Sequence, residues 1–264
     1  MGKLFDMDGP LLRGLNKLAD LMWLNILTII CCLPVFTAGA AITAAHYVEL
    51  KIHRNEEGYI TREFFKSFKM NFKQSTVIGL INIILVAVFA TDIYLMRENS
   101  SLQLPKVVQV IILAAALMFI FYIVWVFPVQ AKFINTITNT MKNAFAISMI
   151  KFPITIAMVV LYVCPAIILW YSNFYLFPII LLFGVSVPIY GSAALYSKFF
   201  KQLEENILAN NAEEEKESRE DADEGNTSEG YTDEGNTGEE SDTEEDGDSE
   251  KIFSDKPLFE EEEH

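Results

Sequence analysis

His46, Glu49 and His53 stand at positions i, i+3 and i+7, a spacing that places all three on one face of a helix. Imidazole and carboxylate so arranged make half of a metal site, the other half coming from a second helix. No such second half is legible, so no metal or other cofactor is expected, and the set reads as a polar face at a membrane interface. Asp92 is a second candidate, because a carboxylate deep in a bilayer can carry a proton or a coupling ion. It stands beside Tyr94 and Arg97, however, as interfacial residues do. With no other charged group expected in the apolar core, ion-coupled pumping lacks a chemical basis. Asn135, Asn139 and Asn143 fall four apart, with Thr136 and Thr140 alongside. Such a ladder of amides and hydroxyls could bind a sugar or line a cavity, but the preferred reading is the wet side of an interfacial helix. The sequence contains no nucleophile elbow, no HExxH pair and no phosphate-binding glycine loop. No catalytic residue is assigned, and the chain is not expected to be an enzyme.

Two further groups concern surfaces and breaks. Residues 62–73 read REFFKSFKMNFK, in which Phe65, Phe68 and Phe72 repeat at i, i+3 and i+7 and Lys66, Lys69 and Lys73 repeat one position later. On a helix this forms an aromatic edge at the acyl boundary with lysines reaching anionic headgroups, a surface for membrane lipid or for a partner. Pro34, Thr37 and Gly39 interrupt the first apolar run. Proline removes a helical hydrogen bond, and the small residues that follow let helices approach closely; a solute path along the break is the functional alternative.

These groups must be held by membrane helices. The 264 residues are 52% apolar yet carry a formal charge of −15. Mapping resolves the conflict: residues 204–264 hold 26 acidic and 4 basic side chains, a net of 4 − 26 = −22, against 16 − 9 = +7 for residues 1–203. That division excludes a basic nucleic-acid binder and a conventional soluble enzyme. Crossing a hydrocarbon core takes about 20 mainly apolar residues. Residues 21–45, 75–94, 107–129, 152–170 and 174–195 qualify, which predicts an all-α polytopic bundle of about five spans. The three cysteines lie in apolar runs and read as small buried hydrophobes.

The positive-inside rule orients the bundle. Lys51, Arg54, Arg62, Lys66, Lys69, Lys73, Lys132, Lys142, Lys151, Lys198 and Lys201 fall on one side, against Lys3, Arg13, Lys17, Arg97 and Lys106 on the other. The first side is therefore expected to be cytoplasmic in a multi-pass protein of the cell membrane, with the acidic C-terminal tail on that side. The first run is either a span kinked at Pro34 or a re-entrant pair of half-helices. Re-entry moves Lys3, Arg13 and Lys17 across and sharpens the bias; Leu11, Leu15, Leu18 and Met22 then become the buried face of a surface helix. Ala38-Gly39-Ala40 resembles a signal-peptide cleavage site, but cleavage would export the segment richest in lysine and arginine, against the charge rule.

Beyond residue 203 the composition changes to DEGNTSEG and DEGNTGEE repeats beginning at Asp223 and Asp233. So polar a segment cannot offset its conformational entropy, and residues 204–264 are expected to form a disordered acidic tail. Ile252, Phe253, Leu258 and Phe259 reappear around Pro257, as a short docking motif or as isolated apolar residues. The tail is expected to screen residues 62–73 by charge.

The order of features resembles one family. The LxxLxWLNxL run from Leu18 to Leu27, the break from Leu33 to Gly39, the continuation Ala44-Ala45-His46-Tyr47 and the basic aromatic segment from Phe65 to Gln74 are similar to the YesL family of bacterial membrane proteins, over about residues 4–203. The acidic tail departs from the pattern. The resemblance implies a multi-helix membrane protein with an accessory or regulatory role in carbohydrate uptake, in contact with lipids and with sugar-transporter subunits. The competing expectation is a small secondary permease for a neutral solute such as a sugar or oligosaccharide.

Overall fold

The computed structural model describes residues 10–56, 58–98, 105–226 and 252–253. They form eight α-helices: α1 (Pro10–Cys32), α2 (Ala38–Arg54), α3 (Ile60–Glu98), α4 (Lys106–Lys132), α5 (Ile137–Ile150), α6 (Phe152–Tyr171), α7 (Phe177–Phe183) and α8 (Ser186–Asn226). Four stretches are long and apolar enough to cross a membrane: Gly14–Cys32, Ile60–Leu95, Lys106–Lys132 and Phe152–Tyr171. The pair Phe177–Phe183 and Ser186–Ala212, bent by 45°, makes a fifth if read as one broken span. The outer faces of these helices are apolar: Ile84, Val110, Leu113, Val160 and Ile179 are all exposed. So much apolar surface is stable in lipid and not in water.

The first apolar run is not a single kinked span. Pro34 ends α1, a 3₁₀ turn follows at Val35–Thr37, and α2 runs back. The Thr37 hydroxyl closes the turn: it lies 2.6 Å from the Cys31 carbonyl, which the end of α1 leaves without a helical partner, and 2.7 Å from that of Pro34, which also accepts the Thr37 backbone N–H at 2.9 Å. At the far ends Lys17 Nζ donates to Asn55 Oδ1 at 2.8 Å, so α1 and α2 form an antiparallel hairpin. The chain turns back as in the re-entrant alternative, but α1 is no half-helix: Gly14–Cys32 alone is long enough to cross a membrane, and residues 11–22 continue it with Leu15 and Leu18 exposed, not as the buried face of a separate surface helix. Arg13 and Lys17 accordingly share the side of the 55–59 loop.

That side is tied together by charge. Glu204 accepts from Arg54 at 2.8 Å and pairs with Lys132 at 3.5 Å, joining the end of α2, the end of α4 and the exit of α8. Lys51 pairs with Glu63 at 3.1 Å between α2 and α3. Below this layer lies an aromatic core. Trp125, Phe133, Tyr196 and Phe200 are fully buried or nearly so, with Tyr196 and Phe200 ring centroids 4.7 Å apart. The Trp125 indole donates to Thr155 Oγ1 at 2.8 Å, as a buried indole must.

Three expectations are corrected. The polar face of residues 137–150 is not the wet one: Asn135 precedes α5, and Thr140 and Asn143 are buried. Thr140 donates to Gln130, which donates to Gln74, so this part of the face is paired between helices, whereas buried Asn135 has neither amide atom in a hydrogen bond. Cys164 is exposed on the outside of the bundle, while Cys31 and Cys32 are half-buried. Residues 204–226 are helical, continuing α8 to Asn226. Alanine, glutamate and lysine are good helix formers, and Glu215 with Arg219 and Lys216 with Glu220 fall at favourable i, i+4 spacing. The repeats beyond residue 226 lie outside the described residues. Of the apolar group near the C-terminus, Ile252 and Phe253 are described, and they pair in parallel with Phe133 and Ile134.

Candidate functional site

One connected set of buried polar residues lies where α2, α6 and α8 meet. His46 lies at the centre: Nδ1 is 3.2 Å from the Tyr196 hydroxyl and Nε2 is 3.4 Å from the Tyr162 hydroxyl. Tyr162 is 2.9 Å from Ser192 Oγ, and Ser192 donates to the Ile189 carbonyl at 2.7 Å. Donor accounting orders the protons. Ser192 has one hydrogen and gives it to Ile189, so Tyr162 donates to Ser192; Tyr162 then accepts from His46 Nε2–H, and Nδ1 accepts from Tyr196. In a neutral imidazole these two tyrosine contacts select the tautomer with its hydrogen on Nε2.

Glu49, one turn along α2, is fully buried. It faces Ser186 at the start of α8 and lies within electrostatic reach of Tyr162 and Tyr196. Neither Glu49 carboxyl oxygen has a hydrogen-bond partner, and neither does Ser186 Oγ. The interfacial reading of His46 and Glu49 is thus overturned, and with it the expectation that the core holds no ionisable group. The side chains pointed inward because the aromatic packing of α8 covers this face of α2. His53 is separate. It lies edge-on to Tyr190 with ring centroids 5.8 Å apart, near the basic side, where partial burial, then Lys17 and then Arg54 hold its ring below the ordinary histidine value. Among the described residues no three His, Cys, Asp or Glu side chains could hold a metal.

The broken helix adjoins this centre, and a residue that the motif search passed over holds it. Asn25 of α1, fully buried, accepts from the backbone N–H groups of Val185 and Ser186 at 2.9 and 3.0 Å and donates to the Leu181 carbonyl at 2.7 Å. One amide thus satisfies both ends of the α7–α8 break. A lone asparagine in an apolar run was the available signal.

The segment from Phe65 to Lys73 forms one turn after another of α3, but its residues divide between faces. Phe65, Lys69 and Lys73 are exposed, whereas Lys66, Phe68 and Phe72 are half-buried. Phe68 stacks on the buried Phe64 at 6.1 Å and leans on Phe72 at 5.4 Å. Between α1 and α3 an open groove of about 980 Å³ is lined by Trp23, Tyr59, Arg62, Phe65, Lys66 and Lys69, with Asp20 at its wall. The Trp23 indole donates to Thr61 Oγ1 at 2.8 Å, fixing that wall.

Pro34, Thr37 and Gly39 occupy the hairpin turn and the first residues of α2. Pro34 is exposed, and Thr37 is used in closing the turn. At Gly39 a Cβ would meet the Ser75 carbonyl oxygen and lie 3.0 Å from Gly79 Cα, so α2 and α3 touch backbone to backbone there. Close packing, not a path, explains that glycine. Asp92 is half-buried six residues before the end of α3.

Residues 21–93 match the model of a family described as a protein of unknown function, DUF624. The matched stretch runs from within α1 through the hairpin turn and α2 into α3, and so contains Asn25, Glu49 and the groove's basic residues. No curated protein and no solved structure matches the chain.

Proposed function

We propose that the chain is a YesL-like, non-enzymatic accessory or regulatory protein of the bacterial cell membrane that serves carbohydrate uptake, with its basic side and C-terminal tail in the cytoplasm. The observation that carries this reading is the open aromatic and basic groove between α1 and α3. It lies on the side where lysine and arginine concentrate, as cytoplasmic surfaces do. Its exposed Trp23, Tyr59 and Phe65 suit an interface with lipid or a membrane partner, since aromatic and arginine side chains dominate such contacts. The carbohydrate role and the sugar-transporter subunits as partners rest on the family resemblance alone, which is an associational ground. Purification from native membranes tests the reading. Co-purified transporter subunits that are lost when Arg62, Lys66 and Lys69 are replaced by glutamine support it; their absence at low salt refutes it.

The broken α7–α8 helix beside a polar centre favours a second reading, a small permease for a neutral sugar or oligosaccharide, because unwound helices in membranes line binding sites. Saturable sugar flux in proteoliposomes containing the protein alone supports the permease and counts against a purely accessory role.

A further inference from the structure

We propose that Glu49 is a proton-binding site inside the bundle, taking up and releasing one proton while the His46–tyrosine chain beside it stays neutral. A carboxylate removed from water and left without hydrogen bonds or a counter-ion is among the most costly groups a protein can hold. Neither Glu49 oxygen has a counter-ion or a partner in hydrogen-bond geometry, and the one uncommitted donor facing them is the Ser186 hydroxyl. The nearby cations do not neutralise it: Lys51 pairs with Glu63 and Arg54 with Glu204. From α8 it faces Ser186 and Tyr196, from α6 Tyr162, and on its own helix His46 lies one turn away. The tyrosines are neutral donors, and the histidine has both nitrogens engaged by them. A proton on Glu49 therefore removes the charge with no further change, the balance being one hydronium consumed and one water released.

Losing that proton has a mechanical result. The anion then faces two tyrosine hydroxyls already committed elsewhere and one unpaired donor, the Ser186 hydroxyl at the start of α8, so α2 closes on α8 to bring that hydroxyl onto the carboxylate. Trp125 would register the shift, because its ring lies 6.0 Å from that of Tyr196. Intramembrane ionisable residues commonly mark proton or ion sites. The inference rests on neither functional reading above, and its test requires no substrate, so it can fail while either stands.

Infrared difference spectroscopy of the full chain in lipid nanodiscs tests it across a pH titration, with Trp fluorescence followed in parallel. The expected result is a carboxylic C=O band at neutral pH that is lost in Glu49→Gln, disappears reversibly on alkalinisation, and does so together with a Trp125-dependent fluorescence change. Should Glu49→Gln fail to fold, Tyr162→Phe, which keeps the carboxyl, is expected to move the frequency of the same band. The proposal is overturned if no protonated band responds to either variant, if the band persists unchanged until the protein unfolds, or if sodium removes it at constant pH, which would make the site one for sodium.

Discussion

Replacing Asn25 by leucine would remove the clamp on the broken helix while keeping a branched side chain of the same heavy-atom count. Asn25 makes three hydrogen bonds, at 2.7, 2.9 and 3.0 Å, to Leu181, Val185 and Ser186. Leucine leaves two N–H groups and one carbonyl without partners in a region with no water to take them. Orphaned buried polar groups cost about 1–3 kcal/mol each, which gives an upper bound of about 9 kcal/mol if nothing relaxes. Hydrogen bonds measured between membrane helices average only about 0.6 kcal/mol, a lower bound of about 2 for three. The 45° bend lets α7 and α8 adjust, so a loss of about 2–5 kcal/mol is expected. No cavity term enters, because leucine is the larger side chain; in this fully buried site its two methyl groups add an overpacking cost to the lost hydrogen bonds.

Equilibrium unfolding in mixed micelles by detergent titration reads this directly. At about 1.4 kcal/mol per decade, the unfolding constant should rise by roughly thirtyfold or more. Asn25→Asp is the discriminating control. A protonated aspartic acid can accept from Val185 and Ser186 and donate to Leu181, so it should recover most of the stability at mildly acidic pH. An Asn25→Leu variant within about 0.5 kcal/mol of the parent, or an Asp variant no better than leucine at any pH, refutes the reasoning that one amide closes the break.

Other outcomes follow from the same contacts. Gly39→Ala forces a methyl against the Ser75 carbonyl and should cost about 1–3 kcal/mol by overpacking, whereas Gly14→Ala, with nothing within 4 Å, should gain up to about 1 kcal/mol from helix propensity; the same unfolding assay compares them. Glu204→Gln leaves Arg54 and Lys132 facing each other without their shared carboxylate and should cost about 1–3 kcal/mol, between exposed and buried pairs, with the deficit shrinking in high salt. His53 binds its proton less readily in the folded chain than in the unfolded one. Its contribution is therefore constant above the ordinary histidine range, and stability falls as pH drops through that range towards the lowered folded value; His53→Gln should flatten that part of the profile.

The later spans were legible because a run of about 20 apolar residues has only one home. The runs at 75–94, 107–129 and 152–170 lie within α3, α4 and α6, and 174–195 contains the broken α7–α8 pair. The first run was ambiguous because Pro34 stops a helix without saying whether the chain continues or turns back. That choice is made by Lys17 meeting Asn55 and by Gly39 seating on Gly79, contacts between positions far apart in sequence. Amphipathic pattern misled for α5 for a related reason: a polar stripe faces water or another polar stripe, and Gln74 and Gln130 supplied the second.

Glu49 shows the same limit from the side of chemistry. With His46 and His53 it reads as part of a polar face at a membrane interface. Only α8, arriving from some 140 residues later in the chain, places Tyr196 and Ser186 over it. The cations nearest to it in sequence, Lys51 and Arg54, pair across helices with Glu63 and Glu204, so local charge density concealed an isolated carboxyl group. The same pairing across helices bears on the net charge: the +7 body closes its basic side with Glu204, the first acidic residue of the −22 segment. Acidic side chains therefore hold that face together before any further part of the tail could screen it, and removing the chain beyond residue 226 should leave the Glu204 clamp intact while losing the pairing of Ile252 and Phe253 with Phe133 and Ile134.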